Sequence, residues 1–91
     1  MTYTLKKLGK AEKFLSKHDK DKVLILRIYK KFHEILEDPF RSDFRELKSR
    51  KCPKCQRAIV GDYRIIFHVS REEKIVEIVD IIPRSNDYRN Y

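Results

Sequence analysis

Val60-Gly61-Asp62-Tyr63-Arg64-Ile65-Ile66-Phe67-His68-Val69 is the stretch whose reading decides the fold. β-Branched and aromatic residues crowd Tyr63–Val69, which predicts a strand. Gly61-Asp62 is a turn pair that tolerates positive φ, so Arg57-Ala58-Ile59-Val60 reads as the strand leading into a hairpin. Ser70-Arg71-Glu72-Glu73 is a polar turn, and Lys74–Ile82 follows as a third strand ended by Pro83. The three strands make a β-meander. Its pleat puts Tyr63, Ile65, Phe67 and Val69 on one side, and Arg64, Ile66 and His68 on the other. The wholly apolar set is expected to face helices. Arg64 is then presented on the open face by a rigid strand. There it is either a surface charge paired with Glu77 or Asp80, or a phosphate clamp.

Upstream the period changes from two to between three and four. Leu8, Ala11, Leu15 and His18, with Phe14 beside them, predict one helix. Asp19 and Asp21 are acceptors for the free amides that begin a second helix. Ile25, Ile28, Tyr29, Phe32, Ile35 and Leu36 form its apolar face, with Lys30, Lys31, Glu34 and Glu37 mostly opposite. Pro39 ends it, because the proline ring pushes residue 38 out of the helical region. The break at Lys17–Asp21 predicts an antiparallel helical hairpin. Tyr3-Thr4-Leu5 reads as a short first strand. The expected order is β-α-α-β-β-β: an α+β domain, with a helical hairpin on one face of a mostly antiparallel four-stranded sheet.

Length and charge bound what such a domain does. The chain has 91 residues, which allow a single domain over 1–91. Its hydrophobic fraction of 41% is too high for a disordered polybasic tail. No apolar run reaches the ~18 residues a transmembrane helix needs, so no membrane partner is expected. The first residues lack the apolar segment of a signal peptide, which points to a cytoplasmic location. A formal net charge of +8 suggests a polyanionic partner, most often nucleic acid. Arg45, Lys48, Arg50, Lys51, Lys54 and Arg57 fall within one short stretch, opposed only by Glu46. Six cations less one anion is +5 of the total +8. The stretch is either a solvated loop or a phosphate-contacting patch.

Cys52-Pro53-Lys54-Cys55 has the spacing of a zinc knuckle. A structural zinc site needs four ligands, there is no second cysteine pair, and His18, His33 and His68 are scattered. Free thiols, a disulfide and half of a zinc site stay open, and no cofactor is expected. Gly9 and Gly61 stand alone, so there is no glycine-rich phosphate loop. Pro83-Arg84-Ser85-Asn86-Asp87-Tyr88 offers an arginine just after the last strand and a tyrosine four residues later, beside the Arg64 face or in a frayed tail.

Taken together, the Val60–Phe67 strand, the Lys74–Ile81 strand, Arg84 and Tyr88 resemble the RelE/ParE superfamily of prokaryotic toxin–antitoxin toxins. The resemblance covers nearly the whole chain and is nearer to RelE than to ParE. It implies a metal-independent endoribonuclease that cleaves mRNA in the ribosomal A site. The substrate's own 2′-hydroxyl is the nucleophile, leaving a 2′,3′-cyclic phosphate. It further implies roles for four residues. Arg64 holds the scissile phosphate, and Arg84 sits across it to stabilise charge or protonate the leaving oxygen. Tyr88 stacks on a base or acts as general base. Arg57 adds a cation. Arg45, Lys48, Arg50, Lys51 and Lys54 are expected to bind RNA. The implied partners are mRNA, the ribosome and a cognate RelB-like antitoxin. The chain departs from the family pattern at Cys55, where a second basic residue is expected, and at Pro83, often His or Lys. The alternatives are a ParE-like inhibitor of gyrase, and a non-catalytic basic RNA- or ribosome-binding module.

Overall fold

The computed structural model describes residues 3–47 and 52–84. The elements in chain order are β1 (Thr4–Lys7), α1 (Gly9–Lys17), α2 (Lys22–Glu37), β2 (Arg45–Glu46), β3 (Gln56–Val60), β4 (Tyr63–Ser70) and β5 (Ile75–Pro83). They form one sheet of order β1-β5-β4-β3-β2, in which only the β1–β5 pairing is parallel. The α+β class and the helical hairpin agree with the sequence reading. The sheet has five strands rather than four. The added strand, β2, is two exposed charged residues long, too short for any alternation to show.

Asp21 caps α2 by accepting the Leu24 amide at 3.2 Å. The helix stops at Glu37, before Asp38 and Pro39. Its buried stripe is Leu24, Ile28, Phe32 and Ile35. Tyr29, expected on that stripe, is 40% exposed at its margin and packs edge-on against Phe32. β4 buries Ile65 and Phe67 against this layer, with Tyr63 and Val69 at its rim, as the pleat requires. Arg41 ties the following segment back to α2, with bonds of 2.9 Å to Glu34 and 2.7 Å to Asp43. Its guanidinium holds both carboxyls below their ordinary pKa range.

Two departures matter for the site. At Ile66/Phe67 the β4–β5 ladder shifts: Phe67 pairs with Ile78 but Ile66 pairs with Asp80, leaving Val79 as an extra residue. This is a β-bulge. The far face of the sheet is also not fully open. Ile66, Ile82, Leu47 and Cys55 form a second buried cluster there, flanked by Cys52 and Val79.

The β3–β4 turn depends on Gly61, whose φ is +54°. A methyl group there would lie 3.1 Å from Arg27 Nη1, a side-chain end that is free to give way. Backbone strain therefore dominates, and Gly61→Ala is expected to cost about 1–2 kcal/mol. Thermal unfolding should show Tm lowered by roughly 5–15 °C.

Candidate active site

The hairpin registers place the arginines in rows across the sheet. One row runs Arg45, Arg57, Ile66, Asp80, and the next runs Ile59, Arg64, Ile82. Ile66 and Ile82 face away from the helices, in the second cluster. Alternation therefore puts Arg45, Arg57 and Arg64 on that same far face. Arg64 lies diagonal to Arg57, at about 7–8 Å, within reach for long side chains. Arg64 and Arg57 are half-buried. The Nε and Nη1 atoms of Arg64 are withdrawn from solvent. Arg45 stands directly opposite Arg57, an arrangement of like charges that is unfavourable without an anion between them.

Arg84 comes next after Pro83, the residue paired with Tyr63 at the end of β5. Its amide donates to the Asp62 carbonyl at 2.6 Å, which carries the ladder one residue past the proline. Alternation from Ile82 then brings Arg84 to the arginine face. Asp62, Tyr63, Pro83 and Arg84 line a cleft of about 520 Å³ at this end of the sheet, which Arg57 and Arg64 do not line. Three cations, Arg57, Arg64 and Arg84, are thus held by β3, β4 and the end of β5 around the Gly61-Asp62 turn. Such a set suits a phosphate, because charge-assisted bonds from guanidinium groups are short and strong.

Other expected site residues lie elsewhere. Lys54 is exposed and lines a separate cleft of about 630 Å³, with Glu46, Gln56, His68 and Arg71 among its walls. Lys48, Arg50, Lys51 and Tyr88 fall outside the described residues. Glu77, one expected partner of Arg64, instead lies opposite His68, with its carboxylate 3.5 Å from the imidazole and 4.0 Å from Lys6. Sequence reasoning treated Arg45 as one of a basic run. Its pairing with Arg57 was hidden because a two-residue strand leaves no pattern.

Cys52 and Cys55 form a disulfide, with Cα atoms 5.3 Å apart. Of the three states the spacing allowed, the structure shows the disulfide. Each sulfur is bonded to the other, and among the described residues no cluster of three or more potential ligands exists. Cys55 is fully buried against Ile66 and Ile82, its amide donates to the Cys52 carbonyl, and its carbonyl accepts the Leu47 amide at 2.7 Å. The bridge pins the segment bounding the arginine face. A ring this small constrains the unfolded chain modestly, so reduction is expected to cost about 2 kcal/mol. Thermal unfolding with and without reductant should differ accordingly, and a Cys52→Ser/Cys55→Ser variant should abolish the difference.

Residues 3–88 match the family model described as the ParE toxin of the type II toxin–antitoxin system parDE. The chain belongs to this toxin family. Solved structures agree. The archaeal RelE–RelB complex from Pyrococcus horikoshii matches with a TM-score of 0.77 and 26% identity, covering 94% of this chain and 99% of that one. The toxin–antitoxin complex RelBE2 from Mycobacterium tuberculosis gives 0.75 and 23%, covering 92% and 100%. A mutant of the E. coli toxin RelE in the free state gives 0.75 and 24%, covering 93% and 86%. No curated protein matches. The toxin therefore has the RelE fold, as its meander and its Arg84 segment suggested. Among its described residues no helix is long and apolar enough to cross a membrane.

Proposed function

We propose that this toxin is a RelE-like endoribonuclease that cleaves mRNA in the ribosomal A site and is neutralised by a RelB-like antitoxin. The observation that carries the reading is the presentation of Arg57, Arg64 and Arg84 on one face by three adjoining strand segments. In the proposed reaction the substrate 2′-hydroxyl attacks the adjacent phosphorus. The P–O5′ bond breaks, and a 2′,3′-cyclic phosphate and a 5′-hydroxyl form. Arg64 binds the non-bridging oxygens and stabilises the charge that develops on them. Arg57 adds a second cation. Arg84 stabilises charge on, or protonates, the leaving oxygen. Tyr88 stacks on a base or takes the 2′-hydroxyl proton. A rigid sheet holds Arg57, Arg64 and Arg84 without the entropy cost of ordering them in the transition state.

The remaining positive charge serves docking. Arg45, Lys48, Arg50, Lys51 and Lys54 suit ribosomal RNA in a cytoplasmic setting. An acidic, amphipathic antitoxin segment suits the basic surface and the exposed apolar residues Val23 and Leu26 on α2. Purified toxin added to translating ribosomes should cut mRNA, and added antitoxin should stop the cutting. The family model's ParE description favours one other reading, inhibition of gyrase with Arg84 and Tyr88 as surface residues. Inhibited supercoiling with intact mRNA would select it.

A further inference from the structure

We propose that the Cys52–Cys55 bridge is a thiol–disulfide exchange site, opened by a dithiol reductant, whose state decides whether Arg45 is held on the arginine face. The exchange site does not depend on the nuclease reading above; its effect on mRNA binding rests on that reading. The two sulfurs differ in access. Cys55 is fully buried, whereas Cys52 is half-buried and the residues between them, Pro53 and Lys54, are exposed. A thiolate of the reductant therefore attacks Cys52 Sγ. The S–S bond breaks, and Cys55 leaves as a thiolate that takes a proton. The reductant's second thiolate then attacks its own sulfur in the mixed disulfide, and Cys52 is released and protonated in turn. Two electrons and two protons pass to the protein, and the dithiol becomes a disulfide. In the cytoplasmic setting proposed above thiols are kept reduced, and a bridge formed there is characteristically transient and redox-sensing.

What the bridge holds is the shortest strand of the sheet. β2 is two exposed residues at the sheet edge. Its pairing sets Arg45 opposite Arg57, and like charges directly opposite push the strands apart. Cys55 counters this in two ways. Its carbonyl accepts the Leu47 amide at 2.7 Å, one step past the Glu46–Gln56 pair. It also packs with Leu47, Ile66 and Ile82 in the second cluster, with Cys52 against them. The bridge closes the turn in which the Cys55 amide donates to the Cys52 carbonyl at 3.1 Å, so it fixes the residue that Leu47 is bonded to. Once the bridge is cut, a two-residue ladder is left against the repulsion of Arg45 and Arg57. Leu47, Cys55, Ile66 and Ile82 are separate from the main core cluster. Reduction therefore acts locally: β2 leaves the sheet, Arg45 leaves the face, and the rest of the fold stays.

The test compares the full chain before and after treatment with dithiothreitol, with free thiols counted by alkylation. Two quantities are read: hydrogen exchange of the Leu47 amide, and the salt dependence of binding to a uridine homopolymer. Reduction should speed Leu47 exchange about tenfold or more while the Ile65 and Phe67 amides stay protected. The slope of log affinity against log salt should become shallower by about 0.7, the loss of one phosphate contact on a single strand. Reoxidation should restore both. Cys52→Ser/Cys55→Ser should behave as the reduced form under either condition, and Cys52→Ala serves should the double variant not fold. In Arg45→Ala, reduction should leave the slope unchanged. Leu47 exchange that is equal in the two states overturns the proposal. So does faster exchange with an unchanged slope, exchange that rises alike throughout the core, or a bridge that the dithiol leaves closed in the folded protein. The expected shifts in a toxin that cuts no mRNA on ribosomes in either state uphold the exchange site and overturn the nuclease reading alone.

Discussion

Arg64→Ala is expected to slow mRNA cleavage on ribosomes by about 10²–10³-fold, the loss typical for a single preorganised group aimed at transition-state charge. The position supports an effect on chemistry rather than on folding. Arg64 is half-buried and lies on the face opposite the main core, to which its strand neighbours Ile65 and Phe67 contribute. Its β3 partner Ile59 is half exposed, so the truncation opens no sealed cavity. Single-turnover cleavage measures the rate, and thermal unfolding checks the fold. The account expects a collapsed rate with Tm moved by only a few degrees. Arg64→Lys should stay slow, because an ammonium keeps the charge but loses the planar fork.

Phe67→Ala is expected to have the largest effect on stability, about 3–5 kcal/mol. Phe67 is fully buried at the bulge, paired with Ile78 and packed edge-on against Phe44 at 5.6 Å between ring centroids. Phe44 anchors the segment that leads into β2, so the same truncation loosens the strand that carries Arg45. A domain of this length has about 5–14 kcal/mol in total. Chemical denaturation should therefore give a midpoint lowered by a large fraction, with activity lost through unfolding. A change below 1 kcal/mol would contradict the packing described here.

The meander was legible because β-branched and aromatic residues crowd Tyr63–Val69 and Gly61-Asp62 marks its start. The helices were legible from Ala11, Leu15, Ile28, Phe32 and Ile35. The bulge was not. Ile78-Val79-Asp80-Ile81-Ile82 has apolar residues on both sides of the aspartate, so either parity fits, and only pairing with β4 decides between them. The second cluster was hidden for a related reason. Leu47, Cys55, Ile66 and Ile82 are far apart in sequence, and one apolar residue on a polar face carries no signal. Arg57, Arg64 and Arg84 stood out by residue type and position. Their neighbours Arg45 and Asp80 needed the register.

The central claim is tested most directly by primer extension on mRNA from translating ribosomes treated with the purified toxin. The account predicts cuts within the A-site codon, absent with Arg64→Ala and suppressed by the antitoxin. Full-length mRNA after treatment with a folded toxin that stops gyrase supercoiling would contradict it.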